Sequence, residues 1–332
     1  MHLSQRQSSE RWGIWGTLIA FGRLRKIPTK TMPVTLPLTR RSFLTRTAVF
    51  AGFGFAYHAR GGASTGGESD RVILLSDTHI SGDPERELRG AKMSKNFTGV
   101  IAEIKAGLAV RSAAALCITG DLALNEGLES DYMEVKRLLE PLKESGLPQH
   151  LLMGNHDHRG HCSGILGPYQ PQGVTLAAHV ASKISLARVN LFLLDSLIST
   201  NHTPGEIGAA QIAWLEKELG ADAAKPAVLL FHHNLRFDDP KNALTDTEAL
   251  FAVMKKHPQL KAAFFGHSHR WELVEKEGKH LVNLPPTAYV FKEGLPNGWV
   301  DAEFHADRVE LTLHTIDKNH PLSGSRQILK WS

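Results

Sequence analysis

Asp77-Thr78-His79, Gly120-Asp121, Gly154-Asn155-His156-Asp157, His232-His233 and Gly266-His267-Ser268-His269 each follow a short apolar run. Carboxylates, imidazoles and one carboxamide, with no thiolate, suit Mn, Fe, Zn or Ni better than a purely oxygen-seeking ion. In an extended segment residues i and i+2 share a side, so Asp77 with His79, and His267 with His269, each aim two donors at one point. A carboxylate has two oxygens and can bridge, so a central Asp121 can hold two ions about 3.5–4 Å apart, the spacing used in two-metal hydrolysis of phosphoric esters. A lone Gly-Asp or Asp-x-His carries little weight; the ordered combination carries much.

The elements that must position these residues are legible as well. The runs Val72–Leu75, Ala113–Ile118, His150–Met153, Ala227–Phe231 and Lys261–Phe265 read as buried strands, with each motif at a strand's carboxyl end. Loops beyond such ends converge on one crevice in open α/β sheets, so residues from 77 to 269 can meet. Val189–Leu194 reads as another strand. After His269 the chain is strand-rich, over Glu272–Glu275, His280–Asn283, Tyr289–Lys292, Trp299–Phe304 and Val309–Thr315. Apolar residues at helical spacing predict helices around Phe97–Leu108, Tyr132–Leu139 and Ile212–Leu219. Ser81–Lys95 and Arg159–Gly173 read as loops that control access to the site.

In order and spacing the five motifs resemble the calcineurin-like metallophosphoesterases, over roughly residues 71–290. The resemblance implies a four-layer αββα sandwich of two mixed sheets flanked by helices. It implies two metal ions, one taking Asp77, His79, Asp121 and His269, the other Asp121, Asn155, His232 and His267. His232, directly after its strand, is favoured over His233 as the ligand, and His233 falls behind it. His156 is implied beside the substrate, protonating the leaving oxygen or stabilising the transition state, with Asp157 orienting it. Hydroxide held between the metals is the implied nucleophile, with no covalent intermediate.

The string Gly154-Asn155-His156-Asp157-His158-Arg159, with Leu194-Asp195-Ser196, Gly205-Glu206-Ile207-Gly208 and Pro285-Pro286-Thr287, resembles the class III cyclic-nucleotide phosphodiesterases. A small phosphodiester is therefore the leading expected substrate, a phosphomonoester the runner-up. An exported nuclease or phospholipid hydrolase shares the metal chemistry, and a non-catalytic scaffold is the reading from a different class. After Gly120-Asp121 the chain continues Leu122-Ala123-Leu124-Asn125, unlike the protein Ser/Thr phosphatases, which disfavours a phosphoprotein substrate. Arg159 suits either a phosphate or a solvated loop.

Thr39-Arg40-Arg41-Ser42-Phe43-Leu44, ahead of the apolar, Gly- and Ala-rich Ala48–Tyr57, resembles a twin-arginine (Tat) export signal. Residues 1–66 are expected to be a leader, with the signal over about 32–63 and Met32 a natural start, and 67–332 one metallophosphoesterase domain. Tat machinery as partner and a periplasmic or secreted location follow. Of 38 Lys and Arg, ten lie in residues 1–63 against one acid, Glu10, which leaves 28 basic and 33 acidic side chains beyond. The basic balance thus belongs to the leader, and net charge gives no support to nucleic-acid binding. Beyond the leader no run is long and apolar enough for a membrane span. Two cysteines, Cys117 in an apolar run and Cys162, call for no disulfide.

Overall fold

The computed structural model describes residues 68–167, 173–237 and 242–332, all within one compact unit, Ala59–Ser332. The expected leader, with the export-like pattern and Met32, lies outside the described residues.

One sheet has six strands in the order β15 (Arg326–Lys330), β14 (Arg308–Thr315), β13 (Gly298–Phe304), β1 (Asp70–Leu75), β4 (Ala115–Ile118) and β5 (Gln149–Leu151). The other has seven, in the order β11 (Glu272–Lys276), β12 (Lys279–Asn283), β10 (Leu260–Phe265), β9 (Ala227–Leu230), β8 (Asn190–Leu193), β7 (His179–Ser185) and β6 (Val174–Leu176). A small hairpin pairs β2 (Glu87–Leu88) with β3 (Ala91–Lys92). The strands that lead into the motifs run parallel, β1 beside β4 beside β5 and β8 beside β9 beside β10, so their carboxyl ends open on one side.

Alternation along the strands builds the layers. Val72 and Leu74 of β1 point into a core shared with Leu191, Leu193, Val228, Leu230 and Phe264 of the other sheet. Their neighbours Ile73 and Leu75 face outward, onto Phe97, Ile101 and Ile104 of α1 (Met93–Val110) and Tyr132, Val135 and Leu139 of α2 (Glu129–Glu144). On the far side Phe192, Leu194 and Leu229 pack under Leu215 and Leu219 of α4 (Gly208–Ala221) and Leu250, Phe251 and Met254 of α5 (Thr247–Lys256). Strands buried on both faces explain the uninterrupted apolar runs. The result is the expected helix–sheet–sheet–helix sandwich.

Three segments depart from expectation: Ser81–Lys95, expected as a loop, carries the β2–β3 hairpin and the first residues of α1. Tyr289–Lys292 forms no strand: Thr287 and Ala288 donate backbone bonds to Ser76 and Asp77, and this stretch loops past the ends of β1 and β10. The expected loop at Arg159 opens with α3 (Arg159–Leu166), whose amino end is capped by His158 accepting from the His161 N–H and whose Cys162 and Leu166 are buried. Glycines at 160 and 164 mask that helix in the sequence. Both cysteines are buried and neither is in a disulfide, and burial pushes the Cys117 thiol up to about 12. Among the described residues no helix is long and apolar enough to cross a membrane.

Candidate metal centre

All seven expected ligands converge at the carboxyl ends of β1, β4, β5, β9 and β10. His79 Nε2 lies 3.0 Å from His269 Nε2 and 3.6 Å from Asp121 Oδ2, and His269 Nε2 is 3.4 Å from Asp77 Oδ1. On the other side of Asp121, His232 Nε2 stands 3.3 Å from the same Oδ2 and 3.3 Å from Asn155 Oδ1. His267 joins His232 and His233 in a cluster whose candidate ligand atoms lie within 4.8 Å of one another. The other Asp121 oxygen accepts the His156 backbone N–H at 2.9 Å, which leaves Oδ2 for the centre.

Each imidazole of the ligand set is tied back by its second nitrogen. His79 Nδ1 donates to Leu124 O (3.0 Å), His232 Nδ1 to Thr119 O (3.1 Å) and His269 Nδ1 to Tyr289 O (2.6 Å), while His267 uses Nε2 toward Asn242 O (3.0 Å). A carbonyl can only accept, so the tied nitrogen carries the hydrogen and the inward one keeps its lone pair. Lone pairs of His79 and His269 facing each other beside two carboxylates repel unless a cation or a proton lies among them. This donor set fits divalent metal ions. Burial pushes His79, His267 and His269 down to about 4, so these rings present neutral nitrogen at neutral pH. Burial works against charge on His232 too, but Asp121 outweighs it and raises that ring. Asp121 stays well below the usual carboxylate range, since His232 and His79 more than offset its burial.

The backbone is bent to make this possible. Asp77, His79, Asp121, His267 and His269 all take positive φ, between 46° and 71°. Asp and His tolerate that region better than most residues, and its concentration in five of the expected ligand positions marks strain held at a candidate site. Gly154 and Gly266 admit no side chain, because a Cβ would run into Asp121 Oδ1 at the first and into Ser76 Oγ and Asp77 Oδ2 at the second.

His156 is half-buried at the cleft, its ring 5.4 Å from that of His79. Its Nδ1 lies 2.9 Å from Asn125 O and 3.2 Å from Asn201 Oδ1, so Nε2 is the nitrogen free to face a ligand. The orientation expected from Asp157 comes instead from Asn125 and Asn201. Asp157 is fully buried and accepts from the backbone N–H groups of Leu122 (3.1 Å), Ala123 (3.1 Å) and Gly154 (2.9 Å) and from the Tyr132 hydroxyl (3.0 Å). It pins the Gly120-Asp121 loop to the Gly154-Asn155 loop. Burial and the Asp121 charge push it up to about 6 against those donors.

Several contributors have no sequence motif. Ser196 Oγ lies 2.7 Å from His233 Nδ1 and accepts from the backbone N–H of His232 and His233, fixing their turn. Asn201 also donates its backbone N–H to Asn155 O at 2.7 Å. Arg159 is taken up by Asp195, with contacts of 3.0 and 3.2 Å, and by Leu197 O, which gives it an anchoring place rather than a solvated one. A cleft of about 1100 Å³ opens over the site, lined among others by His156, Asn155, Arg89, Tyr289 and Phe291.

The model of one protein family, the calcineurin-like phosphoesterases, matches residues 70–271. The chain belongs to that family. Its fold agrees: a dimetal phosphatase from Danio rerio superposes with a TM-score of 0.62 at 14% identity, covering 79% of this chain and 99% of its own. Two relatives are similar over most of their length. A 3′,5′-cyclic adenosine monophosphate phosphodiesterase of Vibrio vulnificus is 26% identical over 255 residues, 72% of this chain and 87% of that protein. A glycerophosphodiester phosphodiesterase of Enterobacter lignolyticus is 25% identical over 221 residues, 65% of this chain and 76% of that protein. This chain is accordingly a hydrolase acting on phosphoric ester bonds, with a two-metal centre.

Proposed function

We propose that this phosphoesterase hydrolyses small phosphodiesters, with cyclic nucleotides the leading class, and that it does so after Tat export to the periplasm or beyond. The observation that carries the two-metal chemistry is the position of Asp121 Oδ2 between His79 Nε2 and His232 Nε2, at 3.6 and 3.3 Å. One ion would take Asp77, His79, Asp121 and His269, and the other Asp121, Asn155, His232 and His267, with His233 held beside them by Ser196. Bound there, two cations supply charge neutralisation at the phosphoryl oxygens and acidify water near neutral pH. His156, its Nδ1–H occupied by Asn125 and Asn201, keeps Nε2 for the leaving oxygen, to which the imidazolium form, with a hydrogen on both nitrogens, delivers a proton or a hydrogen bond. Asp157, Ser196 and Asn201 hold the loops that carry these groups.

Diester preference is supported by two relatives whose substrates differ, one a cyclic nucleotide and one a glycerophosphodiester, yet share that bond. A cleft of about 1100 Å³ also offers room on more than one side of a phosphate. Export rests on the sequence pattern at residues 39–44. The test is hydrolysis of bis-p-nitrophenyl phosphate beside p-nitrophenyl phosphate by metal-stripped protein reconstituted with Mn or Zn. A higher kcat/KM for the diester is expected; preference for the monoester would make the enzyme a phosphomonoesterase, and silence with metals bound would favour a scaffold.

A further inference from the structure

One wall of the cleft carries a group that metal binding and proton transfer leave unused. Phe291 is 54% exposed although it lies against the centre, its ring stacked on His269 at 4.2 Å and 22°. Tyr289 stacks in the same way on His79, at 5.1 Å and 29°. Over both rings lies the Arg89 guanidinium, 5.1 Å from the Phe291 centroid and 5.8 Å from that of Tyr289. Arg89 is exposed, lines the cleft and makes no ion pair with any of the described residues. A guanidinium held by ring faces instead of a carboxylate keeps a planar surface and its donors for another partner.

The backbone beneath Arg89 points the same way. Arg89 and Gly90 form the two-residue loop of the β2–β3 hairpin, with φ of 52° and 77°. Positive φ at both central positions is the type I′ turn, which favours Asn, Asp or Gly at the first of them. Arginine there runs against turn chemistry and projects its side chain over the cleft. Such an outlier at the mouth of a site suggests a task for the side chain.

His156 tells which part of a substrate arrives at this wall. Its ring is 5.4 Å from that of His79, and Tyr289 stacks on His79. An ester oxygen within reach of His156 Nε2 therefore lies beside the wall that Tyr289, Phe291 and Arg89 build, close enough for its substituent to meet them. We propose that Arg89 and Phe291 form a stacking subsite for a planar ring, such as a nucleobase, on the ester group at the His156 side of the phosphate. This rests on the phosphoesterase reading above and adds a selectivity for aromatic over aliphatic ester groups.

Calorimetric titration of the Mn-loaded full chain with adenosine 5′-monophosphate and with ribose 5-phosphate isolates the subsite, because the two share the phosphate ester and differ at the anomeric carbon, where one carries adenine and the other a hydroxyl. Stacking of a base on such a surface is worth roughly five- to 150-fold in affinity, so the wild type is expected to prefer the adenine ligand by about tenfold or more. Phe291→Ala, and Arg89→Lys, which keeps the charge and loses the plane, should each cut that preference to below about threefold, with ribose 5-phosphate affinity and metal content retained. Arg89→Asn, which suits the turn, should behave like Arg89→Lys. Equal affinities in the wild type, a full preference in Arg89→Lys, or losses of both ligands in step would each overturn the subsite. Diester against monoester turnover is read separately, so an enzyme that prefers monoesters refutes the diester reading while the subsite still stands or falls by binding.

Discussion

Asp157→Ala separates a scaffold role for this carboxylate from a catalytic one. Truncation strands four buried donors, the N–H groups of Leu122, Ala123 and Gly154 and the Tyr132 hydroxyl. At about 1–3 kcal/mol for each unsatisfied buried donor, the gross cost is roughly 4–12 kcal/mol. The variant also recovers something: with the native carboxyl pushed up to about 6 from 3.8, keeping it ionised at pH 8 costs about 3 kcal/mol. Water entering the vacated space relieves part of the rest, so the net loss at pH 8 is expected at about 3–5 kcal/mol. The pH dependence has a definite sign. A carboxyl whose native pKa is raised binds more protons folded than unfolded, so its contribution to stability is largest below the unfolded pKa and declines as pH rises through about 6. The gap between wild type and variant should therefore widen, by about 1.4 kcal/mol, on going from pH 8 to pH 5. Urea unfolding of metal-free protein, followed by circular dichroism at both pH values, measures this. A variant within about 1 kcal/mol of wild type at both pH values, yet slowed in turnover with a shifted pH profile, would refute the scaffold role and restore Asp157 as the group that orients His156.

Three further outcomes are expected. His156→Ala should retain both metals by elemental analysis while kcat falls by about 10²–10⁴-fold; loss of metal would show that its role is ligation. Gly154→Ala should lose metal affinity and melt earlier in a thermal scan, because the added methyl collides with Asp121 Oδ1, which positions the His156 N–H; an unchanged metal titration would contradict the close packing. Glu103 is held at about 2: burial opposes its charge, but hydrogen bonds from His314, Lys318 and Trp299 more than offset this. Its stabilisation is full above the unfolded pKa of 4.5 and lost as pH falls toward 2, so Glu103→Gln should flatten the acid limb of the stability curve; an unaltered limb would remove Glu103 as its source.

The convergence of the expected ligands was readable because their spacing follows local geometry. Asp77 with His79, and His267 with His269, lie two residues apart at strand ends, and burial on both faces made those strands continuous apolar runs. The role of Asp157 was not readable, because its donors come from residues 122, 123, 132 and 154 and meet only after the two loops and α2 have packed. Tyr289–Lys292 looks like a strand because aromatic and β-branched residues suit one, but tertiary bonding overrides that preference: Tyr289 O accepts from His269, and Asn96 and Asn297 both donate to Ala288 O. Asn201 and Arg89 sit in turns with positive φ, conformations that a lone residue type does not announce. What escapes the sequence is the layer around the ligands, which long-range hydrogen bonds define.

The most direct test of the two-metal centre is a titration of metal-stripped protein with Mn, in which bound metal and hydrolysis of bis-p-nitrophenyl phosphate are followed together for the wild type and for Asp121→Ala. A shared carboxylate predicts that wild-type activity saturates as the second equivalent binds and that Asp121→Ala weakens both equivalents and loses turnover. Saturation at a single equivalent, or an Asp121→Ala enzyme that still binds two metals and turns over, would contradict it.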